Sequence, residues 1–236
     1  MNQLTIDGQS LALSDAFYVS HNDVVVSIHP DAIERMQRSR QCIIDMVRQE
    51  RVVYGVNTGF GKLANVHIPQ DELEELQLNL VLSHACGAGD PIPVPIVRSA
   101  MLQKANALCK GFSGSRPEIA QLLLDMLNKG VTPVIPAKGS VGASGDLAPL
   151  AHMTLVMLGL GEAFWGEKKM SGGEAMKAAG LTPVTLKAKE GLALLNGTQV
   201  MTAYATEAIV RAMNLGKLAD IAGAITVESL LGTRVA

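Results

Sequence analysis

Residues 138–153 read KGSVGASGDLAPLAHM, and this stretch joins a glycine-rich turn to the start of an apolar, helix-like pattern. Glycines at positions 139, 142 and 145 surround the triplet Ala143-Ser144-Gly145. Glycine-rich turns that enter helices commonly bind phosphate, and a serine between glycines is often a nucleophile. The stretch therefore raises three alternatives: it binds a ligand, attacks a substrate, or is itself converted into another group.

The glycine and serine spacing matches none of the standard motifs for the first two alternatives. A Walker phosphate loop needs a lysine directly after its last glycine, and here Gly142 is followed by alanine. The dinucleotide fingerprint reads G-x-G-x-x-G, whereas these glycines recur every three residues. A hydrolase elbow reads G-x-S-x-G, but Gly145 directly follows Ser144. The sequence assigns no base to Ser144, although distance along the chain does not exclude one.

The residue types of the triplet fit the third alternative, conversion of the peptide into an electrophile. The Gly145 nitrogen attacks the Ala143 carbonyl, water leaves, and loss of the Ser144 hydroxyl leaves an exocyclic alkene. Glycine lacks the Cβ that would block this close backbone approach, and serine supplies a hydroxyl that can leave. On the residues alone, however, a plain turn before a helix is the commoner outcome.

The composition favours a mainly helical protein and leaves a small neutral or zwitterionic partner open. At 236 residues the chain can bury a sizeable core as one large or two small domains. Its hydrophobic content is 48% and its aromatic content 3%, which favours helices with aliphatic cores over β-sandwiches. The net charge of −2, without any cluster of Lys or Arg, argues against nucleic-acid and acidic-membrane partners.

The cysteines, histidines and N-terminus carry further expectations. Cys42, Cys86 and Cys109 are widely spaced without a C-x-x-C pair, as is typical of reduced thiols. The five histidines show no ligand spacing, so we expect no metal. The N-terminal segment lacks a basic region followed by an apolar run, so we expect no signal peptide and a cytoplasmic protein. The uncharged run over residues 191–206 is interrupted by polar residues, which favours a buried helix over a membrane span.

The first part of the chain carries mixed signals. Asp7-Gly8 lies between two short apolar runs and predicts a hairpin. Residues 24–28 (VVVSI) and 51–56 (RVVYGV) are β-prone, and residues 30–50 between them are predicted to be helical.

Helical periodicity dominates afterwards. An acidic first turn followed by apolar residues at helical spacing predicts a helix that ends before Gly87. One face of this helix carries Leu73, Leu76, Leu80 and His84.

Capping boxes mark the starts of two further helices, Ser115 with Glu118 and Ser171 with Glu174. A long apolar helix is predicted over residues 192–231, and helices of that hydrophobicity need partners.

These patterns divide the chain into two parts. Residues 1–70 are expected to form a mixed N-terminal part with a lid loop. Residues 71–236 are expected to form a helical part that carries the triplet and the start of a central helix bundle. The apolar last helix predicts either a fragment of a longer protein or an obligate oligomer.

Five stretches spread over nearly the whole chain form a set. They are YGVNTGFG (residues 54–61), NLVLSHACGAGDP (79–91), GFSGSR (111–116), GSVGASGDLAPLAHM (139–153) and KEGLALLNGTQ (189–199). In kind and order, this set resembles the aromatic amino acid ammonia-lyase and aminomutase family. The resemblance implies a mainly α fold, in which a small mixed α/β N-terminal part leads into the long-helix bundle of the ammonia-lyase/fumarase-like architecture, here truncated. It also implies a 4-methylidene-imidazol-5-one (MIO) group made from Ala143-Ser144-Gly145, without any external cofactor.

The resemblance further implies roles for residues outside the triplet. Tyr54, in a glycine-rich loop suited to a lid, is a candidate acid/base for the substrate's β-proton. Ser83-His84 lies at the ring-recognition position, where members that act on histidine typically carry Ser-His. Asn196 resembles the asparagine near the prosthetic group and the amino-acid end of the substrate. Asp146 is either an N-cap or a group that polarises the cyclising backbone.

Plain structural roles remain open for these residues: a packing tyrosine, a histidine at a helix end and an asparagine C-cap. His152 is interpreted as a core or supporting histidine. The implied reaction is the elimination of ammonia from L-histidine to give trans-urocanate, the first step of histidine degradation, in a homotetramer whose active sites combine several subunits. Tyrosine or phenylalanine ammonia-lyase or aminomutase activity is an alternative, as is a non-catalytic fragment with an uncyclised triplet.

Overall fold

A computed structural model describes residues 2–49, 51–59, 66, 68–141, 145–233 and 235. Its N-terminal part begins with four elements: β1 (Gln3–Ile6), α1 (Leu13–His21), β2 (Val25–Ile28) and α2 (Pro30–Arg48). The two strands pair in parallel. The strand predicted at VVVSI and the helix predicted after it are thus confirmed as β2 and α2. Proline occupies the first position of α2, where its missing N–H has no intrahelical partner to lose.

The hairpin predicted at Asp7-Gly8 is wrong, because the chain turns there towards a helix. Asp7 Oδ1 accepts hydrogen bonds from the backbone N–H groups of Gln9 and Ser10, both at 2.8 Å. Gly8 donates its own N–H to Asn106 Oδ1 at 2.8 Å. These bonds give the turn a tertiary anchor, and β1 therefore pairs with β2 after the intervening helix instead of with the next residues.

The β-prone run over residues 51–56 is also not a strand. Asn57 closes this segment into a turn: its Oδ1 accepts the N–H of Val53 and its Nδ2 donates to the carbonyl of Arg51, each at 2.9 Å. A side chain that bonds its local backbone in this way competes with strand pairing. The end of the YGVNTGFG stretch, residues 60 and 61, lies outside the described residues.

The middle of the chain is built from helices and short strands. After a 3₁₀ turn at Gln70–Glu72 come α3 (Leu73–His84), β3 (Ala88–Pro91), α4 (Val94–Cys109), α5 (Pro117–Asn128), β4 (Val131–Pro133) and β5 (Pro136–Lys138). The helix predicted to end before Gly87 is confirmed as α3. Leu73 and Leu80 on its predicted face are buried.

The last part contains α6 (Leu147–Met157), β6 (Glu162–Trp165), β7 (Lys168–Ser171), α7 (Gly172–Ala178), α8 (Glu190–Leu195) and α9 (Gln199–Ser229). Strands β4, β6 and β7 form an antiparallel sheet in that order. The capping box of Ser171 and Glu174 is confirmed at the start of α7. The single helix predicted over residues 192–231 is wrong, because the chain leaves α8 at Asn196, with a ψ of 122°, before α9 begins.

The capping box predicted for Ser115 and Glu118 is wrong, although the helix itself is confirmed as α5. The N-cap is Arg116, and it makes no side-chain capping bond. Ser115 Oγ donates instead to the carbonyl oxygen of Arg116 at 3.2 Å. The N–H of Arg116 is bonded to Glu190 Oε1 at 3.0 Å. Glu190, which is distant in the sequence, thus binds the backbone at the start of α5 in place of the predicted local pair.

Helix α4 is the centre of the core. It packs against α1, α2, α5 and α9, and it is apolar around most of its circumference, as expected for a helix surrounded by others. The outer half of α9 is different: Leu215, Leu218, Ile221 and Ile225 are each at least 55% exposed. No helix in the described part of the chain combines the length and hydropathy needed to cross a bilayer.

A buried ion pair joins the stretch GFSGSR (residues 111–116) to the stretch KEGLALLNGTQ (189–199). Glu190, at the start of α8, is fully buried and accepts bonds from Arg116 Nε at 2.8 Å and Arg116 Nη2 at 2.7 Å. The N–H of Lys187 also donates to Glu190 Oε2 at 2.8 Å. The hydrogen bond to Glu190 raises the pKa of Arg116. The start of α5 and the start of α8 are therefore locked together through one carboxylate.

We expect Glu190→Ala to lower the free energy of unfolding by about 3–5 kcal/mol, because it leaves buried donors and a partly buried guanidinium without their acceptor. The matched control is Glu162→Ala, which breaks a pair with Lys169 whose side chains are 56% and 47% exposed. That control should cost less than about 1 kcal/mol. Urea denaturation followed by circular dichroism measures both values, and equal losses would contradict the assigned role.

Candidate active site around the glycine-rich turn

The chain that follows His84 pairs with the chain that precedes the triplet. Strand β3 begins shortly after α3 ends, and it is antiparallel to β5, which leads into the glycine-rich turn. Gly87 and Gly139 pack backbone to backbone, since a Cβ on Gly139 would lie 3.0 Å from the Gly87 Cα. The end of α3, where His84 stands, and the approach to the triplet therefore lie side by side.

His152 supports this arrangement from α6. Its Nε2 accepts the N–H of Gly87 at 3.0 Å, so that ring nitrogen carries no hydrogen. Burial lowers the pKa of His152, which favours the neutral ring that this bond requires. In this structure His152 connects the loop after His84 to the helix that begins beside the triplet.

The last residue of the triplet meets the turn between α8 and α9. Gly145 and Gly197 form an isolated parallel bridge, and the N–H of Asp146 donates to the Gly197 carbonyl oxygen at 2.7 Å. Gly145 has a φ of +103°, and a Cβ on it would lie 2.2 Å from that same carbonyl oxygen. Glycine is therefore required here both by conformation and by space. Ala143 and Ser144 lie outside the described residues.

Asp146 stands at the N-cap position of α6, but its side chain bonds elsewhere. Its Oδ1 accepts the hydroxyl of Ser140 and its Oδ2 accepts the N–H of Met201, each at 2.9 Å. Met201 lies in the first turn of α9, where a carboxylate is favoured by the free N–H groups and the helix dipole. Asp146 is 2% exposed. This one buried carboxylate therefore joins the turn before the triplet to the start of α9.

Asn196 is the C-cap of α8, and its backbone is held from α4. Its carbonyl oxygen accepts a hydrogen bond from Lys104 Nζ at 2.8 Å. Lys104 is 2% exposed, and burial lowers its pKa to about 7. Sequence reasoning missed Lys104. The available signal was that the positions three and four residues from Lys104 are all apolar (Ala100, Met101, Ala107 and Leu108), whereas a solvent-exposed face would carry several polar residues.

His84 is the last residue of α3 and is half-buried. Its Nδ1 lies 2.8 Å from the carbonyl oxygen of Leu80 and 3.1 Å from Ser83 Oγ. Because a carbonyl oxygen only accepts, the bond to Leu80 places the hydrogen on Nδ1. In the neutral ring Nε2 is then an acceptor, and its direction is set by the bond on the other side of the ring.

Tyr54 lies on the turn over residues 54–56 and is 57% exposed. Gly55 follows it with a φ of +73°, and the Gly55 N–H donates to Thr58 Oγ1 at 3.3 Å. The first residues of this glycine-rich stretch thus form a folded turn. The lid and the acid/base role of Tyr54 stay predictions.

The structure therefore brings Gly145, Asp146 and the backbone of Asn196 into one junction and places the end of α3 beside it. Three segments far apart in the sequence meet there. Among the residues that the structure describes, no group of three or more His, Cys, Asp or Glu side chains is arranged to hold a metal ion.

Comparison with known proteins gives a consistent result. The family model described as aromatic amino acid lyase matches residues 11–236. The histidine ammonia-lyase of Alkaliphilus oremlandii is 53% identical over 232 residues, which are 98% of this chain and 46% of that protein. The chain thus spans about half the length of the curated relatives it matches.

Solved structures are similar over the same extent. The crystal structure of histidine ammonia-lyase from Trypanosoma cruzi superposes with a TM-score of 0.92 at 39% identity, covering 98% of this chain and 45% of that one. Tyrosine aminomutase from Streptomyces globisporus gives a TM-score of 0.88 at 32% identity, covering 96% of this chain and 42% of that one.

We expect Gly145→Ala to destabilise the protein by about 2–5 kcal/mol, through its left-handed conformation and its overlap with the Gly197 carbonyl. Gly130→Ala is the matched control, because Gly130 has a φ of +71° but nothing within 4 Å of its Cβ position. The control should lose only about 1–2 kcal/mol. Thermal unfolding of both variants measures the difference, and equal melting temperatures would show that the contact is unimportant.

Proposed function

Because the chain belongs to the aromatic amino acid lyase family, we propose that its protein is a carbon–nitrogen lyase that eliminates ammonia from L-histidine to give trans-urocanate. This would be the first step of histidine degradation. The observation that carries the proposal is the position of Ser83-His84 beside the approach to the glycine-rich triplet. Similarity to histidine ammonia-lyases at about 50% identity supports the choice of substrate.

The electrophile is the MIO group, formed from Ala143-Ser144-Gly145. The Gly145 nitrogen bonds to the Ala143 carbonyl carbon, and the carbonyl oxygen leaves as water with the hydrogens from the N–H groups of Gly145 and Ser144. A second water forms from the Ser144 hydroxyl and the hydrogen on its Cα, which leaves the alkene. The geometry at Gly145 supports this, because a glycine held at a φ of +103° against another backbone fits a turn that must close on itself. Once formed, the group supplies an alkene that captures the substrate's amine and makes it a leaving group.

Asp146 assists by holding and polarising the turn. Its buried carboxylate follows Gly145 directly in the chain and is oriented by Ser140 and Met201. Its N–H is fixed on the Gly197 carbonyl oxygen. A turn held at both the backbone and the side chain loses little further freedom on cyclisation, so closing the ring costs less entropy.

His84 recognises the substrate's ring. With hydrogen on Nδ1, its Nε2 accepts a hydrogen bond from the imidazole N–H of L-histidine. A site built around that bond discriminates against phenylalanine, whose ring has no donor. A phenol O–H is also a donor, so tyrosine is the stronger competitor. The similarity to a tyrosine aminomutase is weaker, at 32% identity.

Tyr54 and Asn196 complete the part of the site that this chain supplies. Tyr54 removes the β-proton of the substrate, and its glycine-rich surroundings allow the loop to close and exclude water. Asn196, exposed at the end of α8, binds the amino-acid end of the substrate. No metal and no external cofactor takes part.

The proposal also covers the assembly, the partners and the location of the protein. The exposed apolar side chains on the outer half of α9 are covered in a homotetramer, whose active sites combine several subunits. The partners are thus an amino-acid substrate and other copies of the protein, without nucleic acid or membrane. Residues 1–70 form the mixed part with the lid, residues 71–236 the helical part, and the protein is cytoplasmic.

We expect a proteolytic peptide spanning the triplet to be lighter than its sequence by the mass of two water molecules. Cyclisation and loss of the serine hydroxyl each remove one. Peptide mass spectrometry of the protein produced at its natural length measures this. Ser144→Ala, which has no hydroxyl to lose, is the control and should retain the mass of at least one water. A wild-type peptide of full mass would refute the proposed electrophile and favour an uncyclised, non-catalytic triplet.

We expect His84→Leu to lower kcat/KM for L-histidine by roughly ten- to hundred-fold, the cost of one lost hydrogen bond in a desolvated site. Turnover of L-phenylalanine should not fall with it. Steady-state kinetics with L-histidine, L-tyrosine and L-phenylalanine test this, and His29→Leu, a change at the exposed N-cap of α2, serves as control. Preferred turnover of L-tyrosine by the wild type would overturn the assignment of the substrate.

A further inference from the structure

Lys104 is a buried amine side chain in α4, the helix that packs against α1, α2, α5 and α9. It lies in the middle of α4, its residue is 2% exposed, and its neighbours Met101, Leu102 and Ala105 are fully buried. Its Nζ donates to the carbonyl oxygen of Asn196 at 2.8 Å. Within the described ranges no carboxylate lies within ion-pair distance of Lys104.

Stability alone does not account for a lysine at this position. Burying an ammonium group without a counter-ion opposes folding, and the lowered pKa of Lys104 has burial as its cause. A methionine of similar length would fill the same space in α4 without that penalty. The single hydrogen bond to Asn196 is therefore the feature that distinguishes lysine from an apolar residue here.

The hydrogen bond from Lys104 acts on the peptide between Asn196 and Gly197, which lies directly against Gly145. The Asn196 carbonyl and the Gly197 N–H belong to one planar trans peptide, so fixing the carbonyl on α4 directs the N–H the opposite way. The Gly197 nitrogen lies 2.9 Å from the Cβ position of Gly145, and the Gly197 carbonyl accepts the N–H of Asp146. Lys104 thus holds one end of the segment against which Gly145 rests.

This segment needs an external hold. Asn196 ends α8 and α9 begins only at Gln199, so Gly197 lies between the two helices, and its carbonyl accepts the N–H of Asp146 instead of a helical N–H. Gly197 has a φ of +154°, a conformation that favours glycine, the residue with the least restricted backbone. The N–H of Asp146 holds the carbonyl of Gly197, and the amine of Lys104 holds the carbonyl of the preceding peptide.

We propose that Lys104 is a positioning residue for the electrophile: its amine fixes the peptide between Asn196 and Gly197 against Gly145, so that the triplet keeps the turn in which it is converted. The same bond orients Asn196 at the substrate's amino-acid end. This inference rests on the proposed function. Both the ammonium and the neutral amine donate hydrogen bonds, so the hold persists on either side of a pKa of about 7.

The test is Lys104→Met in the protein produced at its natural length. We expect the melting temperature to stay the same or rise, while the fraction of triplet peptide that has lost two waters falls. We expect kcat to fall roughly ten- to hundred-fold, as for loss of a hydrogen bond from a charged donor. Molecules with an unconverted triplet do not turn over substrate, so KM reflects only the converted molecules. It should therefore change by less than about threefold.

Lys129→Met is the matched control, because Lys129 Nζ also donates to a backbone carbonyl, that of Gly180, at a position outside the site. It should leave both the converted fraction and kcat unchanged. Wild-type conversion and kcat in Lys104→Met would overturn the positioning role. A melting temperature that falls together with conversion would mark Lys104 as a structural residue and would overturn it equally.

The two proposals fail in different ways. A wild-type triplet peptide of full mass refutes the proposed function itself. A converted wild type with an equally converted and equally active Lys104→Met variant refutes only the role of Lys104.

Discussion

The contact between the backbones of Gly145 and Gly197 is the constraint on which the rest of the site depends. No side chain fits between the two residues, because a Cβ on Gly145 would reach within 2.2 Å of the Gly197 carbonyl oxygen. Two segments distant in sequence can therefore meet here only as bare backbone. The surrounding structure holds that contact from several sides: the N–H of Asp146 binds one peptide and the amine of Lys104 binds the one before it. A backbone contact held this firmly at Gly145 fits the proposed ring closure, in which the Gly145 nitrogen must approach another backbone atom.

Two buried charged groups serve this junction, and each acts on backbone groups instead of on the other. Asp146 accepts the N–H of Met201 at the start of α9, and Lys104 donates to the last carbonyl of α8. Ion pairing would have satisfied both charges more simply. By bonding to peptide groups, Asp146 and Lys104 fix the start of α9 and the end of α8. Burying these two side chains costs stability that well-packed apolar residues would not cost.

Local sequence signals predicted the helices well and the connections poorly. The helices α2, α3, α5 and α7 follow from apolar spacing, prolines and acidic first turns, all of which act within a few residues. The hairpin at Asp7-Gly8 failed because Gly8 bonds to Asn106 on another helix. The capping box at Ser115 failed because Glu190, far along the chain, took the N–H of the capping residue. The break between α8 and α9 falls at Asn196-Gly197-Thr198-Gln199, which interrupts the apolar run, and the single predicted helix passed over this local signal. At Gly8 and at Arg116, a hydrogen-bonding partner distant in sequence took the place of a local one.

The sequence by itself determined the residues that carry the proposed chemistry: an Ala-Ser-Gly triplet, a Ser-His pair at the end of a helix, and an aliphatic helical core. Residue type sets what a group can do, and periodic spacing sets the local helix, so both can be read along the chain. Only the tertiary structure decided that the end of α3 lies beside the approach to the triplet, that Asp146 caps α9 and not its own helix, and that Lys104 reaches Asn196. Strand pairing, helix packing and hydrogen bonds between distant residues depend on three-dimensional proximity, which no local pattern contains.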